Sequence, residues 1–243
     1  MIFHWPVGED AERVEFHKLP GAWTVATRYG ERYAATGETA IHTGLDFNLN
    51  RDPAGRAHFD LDAHSPVHAA GDGRVAFCGD LPVWGYVIVI EHPDARLWTR
   101  YAHVERVMVQ PEATVTRGQV IAHVGNAHGR YPYHLHYDMA RRDLRAKPSD
   151  WPGDDLARVQ RDYLDPVAVM RAQHPAARAS LPRLRIIASP GLRVRAQPSP
   201  HSNIQGQLPH GAIVQPVEQL DQWARIEGPI AGWIARQWTS EVT

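Results

Sequence analysis

Three short stretches carry residue types that could hold a metal and move protons. His42-Thr-Gly-Leu-Asp46 runs on into Phe47-Asn-Leu-Asn50, with apolar or β-branched residues at 43, 45, 47 and 49. Period two predicts a strand with one buried face. His42 and Asp46 then share the opposite face, and Gly44 between them leaves a gap that a metal ion would fit. Tyr133-His134-Leu135-His136-Tyr137 alternates in the same way. Its two imidazoles lie about 6.5–7 Å apart along the strand, so one can bind a metal while the other faces the bound water. Arg100-Tyr101-Ala102-His103-Val104 adds a histidine that closes a predicted strand. Two imidazoles and one carboxylate make an N/O ligand set suited to zinc, with the fourth tetrahedral position left for water. A metal held this way acidifies water and polarises a carbonyl. A closed structural site would need a fourth protein ligand, commonly cysteine, and the single Cys78 lies in an unrelated motif.

None of these motifs is specific alone. The chain has 15 histidines in 243 residues, and at that abundance about one H-x-H arises by chance. His58-x-x-x-Asp62 and His134-x-x-x-Asp138 repeat the H-x-x-x-D spacing without a central glycine. His58, His64, His68, His92, His123 and His128 read as solvent-exposed loop histidines. A second metal site at His64 and His68 is the less favoured reading. His128, Tyr131 and Tyr133 are candidates for the rim of a cleft. Cys78, at the end of Val75-Ala76-Phe77, reads as a buried thiol with no nucleophilic role.

The elements that must position these residues are short. Alternating or apolar runs separated by Gly, Pro, Asn and Asp predict a mainly β protein. The strands fall at 22–27, 43–49, 73–78, 86–91, 99–103, 120–124 and 134–139. One helix is predicted over 154–173, interrupted at Asp165-Pro166 because proline disfavours a helical residue before it. Residues 174–183 lack periodicity and read as a linker, which Pro175 and Pro182 stiffen. Short strands resume from Leu184. The expected domains are therefore 1–173 and 184–243.

The ordered set H-x-x-x-D, Y-A-H and H-L-H resembles the lysostaphin-type (LytM-like) zinc metallopeptidases of bacterial peptidoglycan. The frame is similar to theirs as well, in Trp5-Pro6-Val7, Tyr29-Gly30-Glu31-Arg32, the 66–75 block, Gly85–Ile90, Arg117–Ala122 and Tyr163-Leu164-Asp165-Pro166. The resemblance implies an antiparallel β peptidase domain, an open barrel or sandwich of the duplicated hybrid motif type. It implies one Zn2+ per chain, held by His42, Asp46 and His136. His103 and His134 would be catalytic, one as general base and the other stabilising the developing oxyanion, in either order. The expected function is a zinc-dependent endopeptidase that hydrolyses stem peptides or cross-bridges of peptidoglycan. The alternative is a catalytically silent, wall-binding regulator of another hydrolase. Three departures bear on substrate preference: an added loop at 50–65, Gly129-Arg130-Tyr131-Pro132-Tyr133 before H-x-H together with Asp138 where Glu is commoner, and an insertion at 143–162.

From Leu184 onward, Gly191–Ala196, Gly206–Gly211, Trp223–Ile226 and Gly232–Ile234 resemble a small bacterial Src-homology-3-like barrel. This implies a cell-wall-binding domain, with Trp223 and Trp233 in its core or groove. A binder beside a hydrolase raises local concentration on an insoluble polymer.

Composition sets outer bounds. The 26 Lys+Arg and 27 Asp+Glu nearly cancel, and no basic face points to nucleic acid. No apolar run approaches the roughly 18 residues of a membrane span. The N-terminus shows no signal-peptide pattern, so a secreted or envelope location would require a leader removed or export by other means, the alternative being cytoplasmic until released. A monomer is expected.

Overall fold

The computed structural model describes residues 2–15, 19–35, 38–49, 60–173, 181–220 and 222–242. Most of the predicted linker (174–180), most of the 50–65 loop (50–59) and His58 lie outside them. The chain divides into two compact units, residues 1–170 and 171–243.

In the first unit, a mainly antiparallel sheet runs in the order Thr24–Val25, Gly44–Asn48, Leu135–Ala140, Leu97–Glu105, Gly85–His92, Gly73–Leu81, Thr114–Val115. Val120–Val124 pairs with Leu97–Glu105 and with Pro66–His68. The register places chemistry directly. His136 stands opposite Asp46 on one side and Ala102 on the other, and Asp138 stands opposite Gly44 and Arg100. Opposed residues share a face, so these two rows form one polar patch. The intervening row, Leu45, Tyr137 and Tyr101, faces the other way.

That other face is the main core. Phe47 packs edge-on to Trp5 with ring centroids 5.8 Å apart, and Tyr101 lies 5.3 Å from Tyr137. Phe3, Trp5, Phe47, Tyr101 and Tyr137 are all fully buried. At about 25 cal/mol per Å2 of apolar surface removed from water, such rings dominate the stability of this face.

Two expectations change here. The strand predicted at 43–49 spans Gly44–Asn48 and is buried on both faces apart from partly exposed Asp46. The sheet also carries a second layer. Leu144 and Tyr163, from the segment after the 135–140 strand, pack with Val87, Val89, Ala102 and Ala140 over the polar side of the sheet. The helix predicted over 154–173 is two helices, Leu156–Asp162 and Pro166–Gln173, split by Tyr163–Leu164, which pairs with Leu135–Ala140. Pro166 opens the second helix, where its missing N–H is no loss, and the Asp165 carboxylate accepts from the Val167 amide at 3.0 Å.

The second unit holds two antiparallel sheets. One orders Ile213–Val214, Arg183–Ile186, Thr239–Val242, and the other Ile204–Pro209, Gly191–Arg195, Gly232–Ala235, Trp223–Ile226, Pro216–Leu220. They enclose Leu184, Ile186, Leu192, Val194, Leu208, Val214, Ala224, Ile226 and Ile234. The mainly β class and the small C-terminal barrel are as expected. Among the described residues no helix is long and apolar enough to cross a membrane.

His92 and His68, expected in solvent, are buried. His92 sits edge-on to Phe3, donates from Nδ1 to the Asp72 carbonyl at 2.7 Å and meets the Thr99 hydroxyl through Nε2 at 2.8 Å. Burial pushes its pKa down to about 4, opposed by its contacts with Asp72. The unfolded chain, with a histidine pKa near 6.5, therefore binds a proton that the native state refuses. Stability is whole above about pH 6.5 and falls by about 3 kcal/mol as the pH drops toward 4. Urea unfolding at pH 7.5 and 4.5 is expected to show a smaller acid loss for His92→Gln than for the native sequence. Equal losses would place the acid sensitivity elsewhere.

Candidate metal centre

His42, just before the Gly44–Asn48 strand, reaches across to Asp46 and His136. His42 Nε2, Asp46 Oδ1 and His136 Nδ1 lie 3.0 Å from one another in all three pairs. Among the described residues this is the one group of three or more His, Cys, Asp or Glu side chains close enough to hold a metal ion. His42 and His136 are buried.

The hydrogen bonds behind these atoms decide what they can hold. His42 Nδ1 lies 2.8 Å from the Gly44 carbonyl. A carbonyl only accepts, so Nδ1 carries the proton and Nε2 presents a lone pair. His136 Nε2 lies 3.0 Å from Asp138 Oδ2. Burial pushes Asp138 up, but Arg100 and His136 outweigh it and hold the carboxylate ionised. His136 Nε2–H therefore donates, and Nδ1 presents a lone pair. With both imidazoles neutral, three acceptor atoms converge on one point. Donors at tetrahedral Zn distances of 2.0–2.1 Å would sit about 3.3 Å apart, so the present spacing suits a small cation. The carboxylate–histidine arrangement behind the ligand is the usual way such a ring is oriented.

Gly44 does not leave room for an ion. A Cβ there would lie 2.1 Å from the Tyr137 carbonyl oxygen and 2.5 Å from the Asp138 Cβ. The glycine is needed because the 135–140 strand passes against it, and its carbonyl sets the His42 tautomer.

His103 and His134 stand beside the triad, their rings 4.6 Å apart, with His103 6.0 Å from His136. The Leu97–Glu105 strand carries one extra residue against Tyr86–Ile88, and His103 takes a positive φ of 61° there. Such bulges re-aim side chains. The backbone amide and Nδ1 of His103 both donate to the Trp84 carbonyl, at 3.1 and 2.9 Å. His134 Nδ1 donates to the Pro132 carbonyl at 2.8 Å. Both rings therefore keep a free lone pair on Nε2 when neutral. Burial first, and then His134 and His136, push the His103 pKa well down.

Several contributors escaped the sequence reading. Trp84 stacks on His103 at 14° between ring planes, and Arg100 lies 4.2 Å over its ring. Trp151, from the insertion at 143–162, meets His42, His136 and Trp84 edge-on at 5.4–6.1 Å. Tyr33 lies edge-on to His42 at 5.6 Å. Burial, then the Asp46 carboxylate, raise its pKa and keep the phenol protonated. The fully buried Arg100 grips Asp138 through Nε at 3.2 Å and Nη2 at 2.5 Å, and donates from Nη1 to the Pro148 and Asp150 carbonyls at 2.9 Å each.

Of the rim candidates, Tyr131 packs against His103 at 4.9 Å and His134 at 5.9 Å. His128 instead pairs with Asp80 at 2.9 Å, and Tyr133 packs on His64, which pairs with Glu105. His64 and His68 form no second cluster. Cys78 is partly buried and its thiol pKa is raised by burial, as an inert cysteine requires.

Asp138→Asn is expected to cost about 3–5 kcal/mol, because Arg100 loses its buried counter-charge, and to weaken metal binding about 10–100-fold. Denaturant unfolding and competition with a metal indicator measure the two effects. A variant that unfolds like the native chain would remove Asp138 from this role.

Residues 40–148 match Peptidase family M23, and residues 190–240 match the bacterial SH3 domain family. Peptidoglycan DD-endopeptidase ShyA of Vibrio cholerae is 30% identical over 139 residues, 56% of this chain and 29% of that protein. Peptidoglycan DD-endopeptidase ShyB of the same organism is 32% identical over 125 residues, 51% of this chain and 26% of that protein. The chain spans less than a third of either relative. The antimicrobial peptidase lysostaphin from Staphylococcus simulans aligns with a TM-score of 0.47 at 15% identity, over 97% of this chain and 92% of that one. The first unit is thus similar to Peptidase family M23 and the second to bacterial SH3 domains.

Proposed function

We propose that the first unit is a zinc-dependent endopeptidase that hydrolyses peptide bonds in the stem peptides or cross-bridges of bacterial peptidoglycan. The observation that carries this reading is the convergence of two imidazole nitrogens and one carboxylate oxygen beside two histidines whose tautomers are set by backbone carbonyls. The two Vibrio cholerae relatives, both named peptidoglycan DD-endopeptidases, support the substrate class.

His42, Asp46 and His136 would hold one Zn2+. When bound there, zinc supplies a Lewis acid that makes water more acidic and polarises the scissile carbonyl. The protein does the rest. His103 and His134 each offer a free Nε2 that can take a proton and then donate it, the work of a general base and of an oxyanion donor. His134 is the more exposed of the two. Trp84 and Trp151 wall the cleft and exclude water around these rings, which strengthens every charge interaction inside. The C-terminal domain, taken as residues 184–243 after a linker at 174–183, would hold the chain on the wall, placing its action in the envelope or outside the cell.

Proton competition gives a pH dependence. Burial alone would lower the His136 pKa, but Asp138 and Asp46 outweigh it and raise it. A metal must therefore displace a proton that these carboxylates attract, and loading weakens as the pH falls. The purified chain is expected to hold one Zn per molecule and to lyse cell walls at neutral pH. Activity should decline below about pH 6, where imidazoles take protons. Chelator and His136→Ala should each abolish lysis. Absence of stoichiometric metal, or a flat pH profile down to pH 5, would count against this reading.

A further inference from the structure

The second unit carries a groove of about 470 Å3 lined by Leu192, Arg193, Arg195, Pro200, Trp223 and Trp238, among others. That volume lies within the range of small-ligand clefts, about 300–1,000 Å3. Trp238 is half-exposed although it is a large apolar ring, whereas Trp223 and Trp233 are buried.

The charges around the groove are one-sided. Elsewhere on this unit, Arg225 pairs with Glu227 at 3.1 Å and Arg236 with Glu241 at 3.6 Å. Arg193 and Arg195 meet no carboxylate among the described residues, and Arg195 donates only to the Ser202 carbonyl, at 2.8 Å. Among the described residues lining the groove, none is acidic. Both arginines lie on the same side of the Gly191–Arg195 strand, facing away from the barrel core, in which Leu192 and Val194 are buried. They are two residues apart, so their guanidinium groups follow the groove at strand spacing.

From this pairing of an exposed indole with two guanidinium groups that meet no carboxylate among the described residues, we infer that the groove binds a short peptide bearing two carboxylates. The inference rests on the wall-binding reading of this unit and gives it a chemistry: recognition of the acidic form of the wall peptide. Arginine forks grip carboxylates bidentately, and an aromatic ring beside them supplies area for the peptide backbone and its methyl groups.

Calorimetric titration of the full chain tests this with two synthetic probes. One is L-Ala-γ-D-Glu-L-Lys-D-Ala, and the other is the same peptide amidated at both carboxylates. The free acid is expected to bind, and the amidated form to bind about tenfold or more weakly. The double variant Arg193→Gln, Arg195→Gln, checked for fold by circular dichroism, should lose the same factor and keep its hydrolysis of a soluble peptide. Equal affinity for the two probes overturns the inference, as does binding that survives the double variant. A preference for a poly(glycerol phosphate) chain over the acidic peptide also overturns it and reassigns the groove to phosphate polymers. Retention on purified sacculi reports separately on wall binding. A chain held by sacculi but indifferent to peptide charge keeps the wall reading and loses the groove. One that binds the acidic peptide but not sacculi does the reverse.

Discussion

One buried oxygen, Oδ2 of Asp138, organises the first unit. It accepts from Thr43 Oγ1 at 2.9 Å, from Arg100 and from His136 Nε2. The first of these anchors the residue next to His42, and the last orients a ring whose other nitrogen joins the triad. Arg100 carries the influence further, because its guanidinium also lies over Trp84, the residue that stacks on His103 and accepts its two N–H groups. The His42–Asp46–His136 cluster and the His103–His134 pair are thus tied to one buried ion pair. A pair of that kind is costly to desolvate and tolerable only when fully hydrogen-bonded. Arg100 reaches two further backbone carbonyls, at Pro148 and Asp150, whereas Oδ1 of Asp138 is buried without a partner among the described residues.

Much of this is legible in the sequence because strands have period two. The alternation around His42–Asn50 and His134–Tyr137 is enough to put the ligands on one face, and the antiparallel register then sets His136 opposite Asp46. What sequence does not carry is whatever arrives from elsewhere in the chain. Trp151 comes from an insertion with no periodicity of its own, and Trp84 from the turn between two strands. Neither position carries a local signal, because its role is set by tertiary packing. Gly44 shows the limit in another way: the spacing singles out the right residue, but the space beside it belongs to a neighbouring backbone.

The buried histidines teach the same lesson. A histidine near turn residues looks solvent-exposed in sequence, yet His92 is covered by Phe3, from the far N-terminal end of the unit. Burial is a property of the whole packed layer and is visible locally only when an entire face alternates. The split helix is a finer case. The proline marks a boundary, but Pro166 starts a helix while the chain crosses to pair Tyr163 and Leu164 with the sheet.

Three of the four imidazoles around the centre are locked by main-chain carbonyls, those of Gly44, Trp84 and Pro132. Only His136 depends on another side chain. The proton inventory of the site is therefore written mostly in the backbone path. The carbonyls at 84 and 132 keep the same nitrogens bare as long as the turns hold their course, although the Trp84 side chain also stacks on His103. Asp138 has no such latitude, because its own side chain decides which nitrogen of His136 stays bare.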